Sequence, residues 1–187
     1  MSKKYQIIYA DPPWAFTGFV NEHKDGITRP PLPYKTMTDL EIIKLPVETL
    51  FADDNAILFL WCVDSRIGIM PIIMKKWGFK YKTVGFVWNK VRKDGLGVNA
   101  TFSKYTRKSC EFLYIGTRGK CLAQHHTQNQ YFPEAKREHS RKPDKIREMI
   151  VNMCGDLPRI ELFAREKTEG WDVWGNEVDS DIQLNTK

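Results

Sequence analysis

The tetrapeptide Asp11-Pro12-Pro13-Trp14 is the stretch whose residue types point most directly to chemistry. Each proline lacks an N–H, holds φ at about −65° and biases its predecessor toward an extended conformation. The carbonyls of Asp11 and Pro12 are therefore expected to be rigid and turned away from local hydrogen bonds. A carboxylate beside a fixed carbonyl is an acceptor-only pair. It suits a substrate amino group with two N–H donors, such as adenine and cytosine carry, and Trp14 adds a flat face for an aromatic ring. The same residues could be a plain strand end with a core tryptophan. A buried Asp at a strand terminus, however, needs a partner for its charge, which favours a binding role.

The elements that must position this corner begin with Ile7-Ile8-Tyr9-Ala10, an apolar run that reads as a buried parallel strand opening into a loop. In open α/β sheets that end is where ligands bind. Residues 15–33, with three prolines and two glycines, read as a mobile loop and candidate lid. Thr38 with Glu41 three residues later predicts a capping box on a helix over 39–44, and 47–51 a further helical turn. Residues 56–61 predict a second buried strand. Ser65 is expected to cap a helix that runs to Trp77 and ends at Gly78, with Pro71 kinking it or marking its true first turn. A third strand over 79–88 would complete a right-handed crossover between parallel neighbours. Residues 111–116 predict an antiparallel strand and 121–138 an irregular segment. Lys142-Pro143-Asp144 opens a helix to Met153 with Pro143 in its first turn, stopped by Gly155. Residues 159–163 form another buried strand, 170–177 a turn-rich stretch, and 179 onward a frayed tail. The fold class expected is α/β, with one domain over 1–178 and a polar tail over 179–187. Asp11 and Ala164-Arg165 both follow buried strands, so in a doubly wound sheet they would face one crevice.

A net charge of +6 leans toward a polyanionic partner. Residues 89–108 concentrate it in Lys90, Arg92, Lys93, Lys104, Arg107 and Lys108, with Phe102 and Tyr105 interleaved. That segment reads equally well as a solvated loop or as a nucleic-acid contact with stacking platforms. The amides from Gln124 to Gln130 suit base edges or an ordinary surface loop. Cys62, Cys110, Cys121 and Cys154 are scattered, without a Cys-x-x-Cys pair or a signal sequence, and predict reduced thiols in the cytoplasm. Cys110, Cys121, His125 and His126 match no standard zinc spacing, so no metal is expected. No apolar run reaches membrane-spanning length.

Together and in this order, the motifs resemble the adenine-N6 methyltransferases related to the catalytic subunit of the eukaryotic messenger RNA adenosine methyltransferase. The resemblance runs from Tyr5 to about Val178. It comprises Asp11-Pro12-Pro13-Trp14, Leu32-Pro33-Tyr34-x-Thr36-Met37, Leu58-Phe59-Leu60-Trp61, Trp77-Gly78-Phe79, Val87-Trp88 followed by Lys90, Lys142-Pro143-Asp144, Ile160-Glu161-Leu162-Phe163-x-Arg165 and Gly175-Asn176. It implies a Rossmann-like methyltransferase dependent on S-adenosylmethionine, in circularly permuted order, with the catalytic motif N-terminal and the cofactor strand C-terminal. By the same resemblance Asp11 and the Pro12 carbonyl hold the exocyclic amine of adenine, and Pro13 and Trp14 complete the catalytic motif. Tyr34 and Trp88 lie near the base or the methionyl end of the cofactor. Lys142 sits near the cofactor carboxylate, Arg165, Asn176 and Glu177 reach its ribose and adenine, and Phe163 and Asp11 adjoin it. Lys90, Arg107, Lys108 and Glu111 fall to the nucleic-acid side.

The eukaryotic relatives carry glutamine where Glu177 stands, but a carboxylate still accepts from both ribose hydroxyls. Ten residues precede Asp11 and no zinc-finger or partner-binding extension is present. The expectation is thus a minimal, microbial or phage-like enzyme, monomeric or homodimeric, acting on DNA. RNA is the alternative substrate, and a silent nucleic-acid-binding subunit the alternative class.

Overall fold

Tyr5–Ala10 forms β1, whose residues are almost all buried. The computed structural model describes residues 3–15, 34–102, 105–137 and 141–183, so the candidate lid over 16–33 lies outside the described residues. Six further strands follow: Ala52–Cys62 (β2), Lys80–Val91 (β3), Cys110–Arg118 (β4), Tyr131–Ala135 (β5), Arg159–Leu162 (β6) and Asp172–Trp174 (β7). They build one sheet in the order β5-β3-β4-β2-β1-β6-β7. The four helices are Asp39–Ile43 (α1), Val47–Leu50 (α2), Met70–Lys76 (α3) and Lys145–Cys154 (α4).

The period-two alternation of strand side chains divides the core. Ile8 and Ala10 of β1 face one apolar cluster with Ile42, Val47, Ile73 and Trp77, residues of α1 to α3 and the turn after α3. Ile7 and Tyr9 face another, with Ile146, Met149 and Ile150 of α4. Helices thus cover both faces, as buried parallel strands require. The Trp77 indole N–H donates to Ile42 O at 2.9 Å and locks α3 onto α1. Among the described residues no helix is long and apolar enough to cross a membrane.

Register decides what emerges beside what. β1 runs parallel to β2 and β6, with Ala10 opposite both Leu60 and Leu162. Asp11 and Phe163 therefore leave the sheet side by side, and the Asp11 N–H lies 3.5 Å from Leu162 O. β4 runs antiparallel to β2 and pairs Phe112 with Cys62, so the start of β4, with Glu111, lies at the edge where β1 and β6 end.

The capping box is present, the Thr38 hydroxyl accepting from the Glu41 N–H while the Glu41 carboxylate accepts from the Thr38 N–H. Several expectations are corrected. β2 and β3 are not neighbours, because β4 inserts between them antiparallel to both. α3 starts at Met70 and not at Ser65, which lies in a 3-10 turn over Asp64–Arg66; Pro71 marks its first turn, one of the two roles expected of it. Pro143 precedes the cap residue Asp144 rather than entering α4. The segment expected to be irregular contains β5, parallel to β3, and the turn-rich C-terminal stretch contains β7, parallel to β6. The polar residues after 178 do not fray where they are described: the Asp181 N–H donates to Val173 O at 2.9 Å, and its Oδ2 accepts from the Val173 N–H at 3.0 Å.

Candidate active site

The chain turns sharply as it leaves β1. The Trp14 N–H donates to Pro12 O at 2.8 Å, the Met37 N–H to Pro13 O at 2.8 Å, and the Ala15 N–H to Met37 O at 3.1 Å. The Pro12 carbonyl therefore does take a local hydrogen bond, contrary to the sequence expectation, and keeps one lone pair for a ligand. Trp14 is buried and anchored through its indole N–H, 3.3 Å from Trp61 O. The corner is thus fixed at its backbone on both sides.

A chain of charges crosses the mouth of the sheet. Lys142 Nζ donates to Asp11 Oδ2 at 2.8 Å and lies 3.3 Å from Glu111 Oε2. Glu111 also pairs with Lys90. Lys142 comes from the loop ahead of α4, Asp11 from the end of β1, Glu111 and Lys90 from β4 and β3. Three strands and a helix start are stitched at one point. Burial pushes the Asp11 carboxyl above the ordinary carboxylate range, against the pull of Lys142. Burial also penalises the Glu111 carboxylate, but Lys142 and Lys90 together outweigh it and bring its pKa down to about 2. For Lys142 the burial cost is likewise overcome, by Asp11 and Glu111, and the ammonium is held above the ordinary lysine range. Its Nζ also sits 5.4 Å above the Trp61 ring.

At the neighbouring strand end, Phe163 adopts φ 65°, a left-handed conformation uncommon for an aromatic residue. Its ring meets Trp174 edge-on at 5.3 Å. Ala164 then bonds to β7 through its N–H, 2.9 Å from Trp174 O. The backbones approach so closely at Gly175 that a Cβ there would lie 2.1 Å from Ala164 O, so only glycine fits. Arg165 Nε donates to Glu177 Oε1 at 3.0 Å, and its guanidinium lies 5.3 Å over the Tyr34 ring.

Both regions border one cavity of about 920 Å³. Of the residues assigned from sequence, Asp11, Pro12, Pro13, Trp14, Tyr34, Glu111, Lys142, Phe163, Arg165, Asn176 and Glu177 line it. Trp88 does not; it is buried, with its indole N–H donated to Glu134 O at 3.0 Å. Lys90 reaches the site only through Glu111. Arg107 and Lys108 lie outside, on the excursion between β3 and β4, where Arg107 stacks over the exposed Phe102 ring and Lys108 pairs with Asp64 at 2.8 Å. Sequence reasoning missed Met37, Leu45, Val63, Trp174, Ser180 and Ile182 in the lining. Met37 and Trp174 had a signal, the first inside the motif Tyr34-x-Thr36-Met37 and the second two residues before Asn176; the others depend on tertiary packing. Among the described residues no cluster of His, Cys, Asp and Glu is arranged to hold a metal ion.

A fixed carboxylate at one end and a carboxylate, amide and guanidinium cluster at the other suit a ligand with donors at both ends and a flat apolar middle. The family model MT-A70 matches residues 5–177. The chain belongs to the MT-A70 family. It is a methyltransferase, and the resemblance drawn from its motifs holds. The type II methyltransferase M.MunI of a Mycoplasma species is 34% identical over 99% of this chain and 83% of its own length. A probable N(6)-adenosine-methyltransferase MT-A70-like protein of Oryza sativa subsp. japonica is 27% identical over 94% of this chain and 23% of its own. The N(6)-adenosine-methyltransferase catalytic subunit METTL3 of Homo sapiens is 26% identical over 94% of this chain and 28% of its own. This MT-A70 chain therefore spans most of one relative and about a quarter of the other two.

Proposed function

We propose that this enzyme transfers a methyl group from S-adenosylmethionine to the exocyclic N6 amine of adenine in DNA. The observation that carries the reading is that the Asp11 carboxylate and the Arg165, Asn176 and Glu177 cluster border one continuous cavity. S-adenosylmethionine supplies an electrophilic methyl on a sulfonium. The residues present fit it: Lys142 for its carboxylate, Phe163 and Trp174 for its flat purine, Glu177 and Asn176 for its ribose and base donors. The element order, with Asp11 after the first strand and the cofactor end after the sixth, agrees with the circularly permuted arrangement.

The chemistry assigned to the protein is positioning. The N6 lone pair is delocalised into the purine, so the amine is a weak nucleophile. Asp11 Oδ1, which has no hydrogen-bond partner among the described residues, and the remaining lone pair of the Pro12 carbonyl would accept hydrogen bonds from the two amine N–H groups and let nitrogen pyramidalise toward the methyl group. As the N–C bond forms the sulfonium S–C bond breaks, and one of the two amine protons is released to solvent. In-line placement and electrostatic stabilisation then suffice, without a covalent enzyme intermediate. Tyr34 and Trp14 wall the base. Lys142, bound to Asp11 Oδ2, opposes the effect of burial and orients the carboxylate.

DNA is preferred over RNA because the chain is 34% identical to the type II methyltransferase and 26–27% identical to the two N(6)-adenosine-methyltransferases. In duplex DNA the adenine must leave the stack, at a cost of a few kcal/mol that Arg107, Lys108, Lys90 and the exposed Phe102 and Tyr105 would help to offset. We place the enzyme in the cytoplasm, as a monomer or homodimer; its four cysteines are unpaired. The test is incubation with methyl-labelled cofactor and, separately, duplex DNA, single-stranded DNA and RNA. Label in DNA is expected. Label in RNA alone would overturn the substrate, and label in none would favour a silent subunit.

A further inference from the structure

The segment after β7 is built into the cavity rather than trailing from it. Asp181 satisfies both outward backbone groups of Val173, and its Oδ1 accepts from Lys167 Nζ at 2.7 Å. The Ser180 hydroxyl accepts from the Gly175 N–H and donates to Gly175 O, each at 3.1 Å. These bonds clasp residues 180 and 181 to β7 and to the turn that carries Asn176 and Glu177. The next residue, Ile182, is partly buried against the apolar cluster around Ile8 and Ala10, the same cluster on which Phe163 and Trp174 pack. Ser180, Ile182 and Gln183 all border the cavity.

Phe163 and Trp174 meet edge-on, so their rings make a corner and not a closed slot. A flat purine lodged in such a corner has a face open to water unless a third apolar group covers it. We propose that Ile182 is that group: a binding residue for the adenosyl moiety of the cofactor, held in place by Asp181 acting as a positioning residue through Val173 and Lys167. The inference rests on the cofactor reading above. Ser180 contributes by its bonds to Gly175, which commit its hydroxyl as both donor and acceptor. Burying an apolar side chain against a ligand discriminates by an order of magnitude or more per site, whereas an exposed ion pair such as Lys167 with Asp181 gives only a few-fold.

The test is calorimetric titration of the full chain with S-adenosylhomocysteine, paired with steady-state kinetics. Ile182→Ala is expected to weaken binding about tenfold or more. The loss should fall on KM for the cofactor and not on KM for the nucleic acid. Asp181→Ala should weaken binding comparably. Should that variant fail to fold, Lys167→Gln leaves the bonds to Val173 in place and should weaken binding about twofold to fivefold, with the gap closing at high salt. Wild-type affinity in Ile182→Ala would overturn the proposal while leaving the cofactor reading intact. Failure of the wild type itself to bind S-adenosylhomocysteine would overturn both.

Discussion

Asp11 bonds Lys142 through Oδ2, and on the proposed reading Oδ1 is the oxygen that meets the substrate. Removing the carboxylate takes away a transition-state acceptor but leaves the far end of the cavity intact. Asp11→Ala is accordingly expected to retain cofactor binding while losing about 10²–10³ in kcat, measured by single-turnover transfer of labelled methyl. Unchanged turnover would exclude Asp11 as the amine acceptor. Glu111 provides a pH test. Its pKa falls from 4.5 to about 2 on folding, so the folded chain binds fewer protons there than the unfolded one. The stability it contributes is complete above about pH 4.5 and drains as pH falls toward 2, and it is on the order of 3 kcal/mol before solvent screening. Urea unfolding at about pH 6 should show Glu111→Gln destabilised relative to wild type, with the gap narrowing at about pH 3.

At the scale of elements, α4 matters because it sets the loop that carries Lys142. Beside the apolar packing of Ile146, Met149 and Ile150, it grips the sheet through the pair between Arg147 and Glu161, bidentate at 2.7 and 3.0 Å, both side chains largely buried. Arg147→Met would strand the Glu161 carboxylate without a partner in the core. We expect a loss of about 3–5 kcal/mol, read as a lower urea midpoint. Arg147→Met/Glu161→Leu, which removes both charges, should recover most of it. The same scale shows what the sequence made legible. β1 and β6 announce themselves as short apolar runs, and α1 by its capping box, because those signals are local. β5 and β7 do not. β5 contains Pro133, β7 has three residues, and each gains its strand character from a single neighbour. The insertion of β4 between β2 and β3 was hidden for the same reason, since strand order is a long-range property. At the site, Asp11, Lys142 and the residues around Phe163 were readable from motifs. The bonding of Asp11 to Lys142 was not, because 131 positions separate them.

At the scale of the whole molecule, the excursion between β3 and β4 carries Arg92, Lys93, Arg107 and Lys108. The excursion between β3 and β4 exposes Phe102 and Tyr105 almost fully, and its base is joined to the cavity rim by the pairing of Lys108 with Asp64, next to the cavity residue Val63. If that excursion tracks a phosphate backbone, Arg107→Ala should lower the slope of log affinity against log salt by about one, measured by fluorescence anisotropy with a duplex oligonucleotide. An unchanged slope would place the strand elsewhere.

The bonds between Asp181 and Val173 also bear on solubility. A strand with one free side is a template onto which another chain can add, and proteins usually block it with proline, charge or a covering segment. Here β5, at one border of the sheet, carries Pro133, while β7, at the other, is covered by the chain's own continuation. A version ending at residue 178 would uncover the β7 side. Sedimentation velocity should then reveal self-association by strand addition that grows with concentration, even where circular dichroism still reports the native fold.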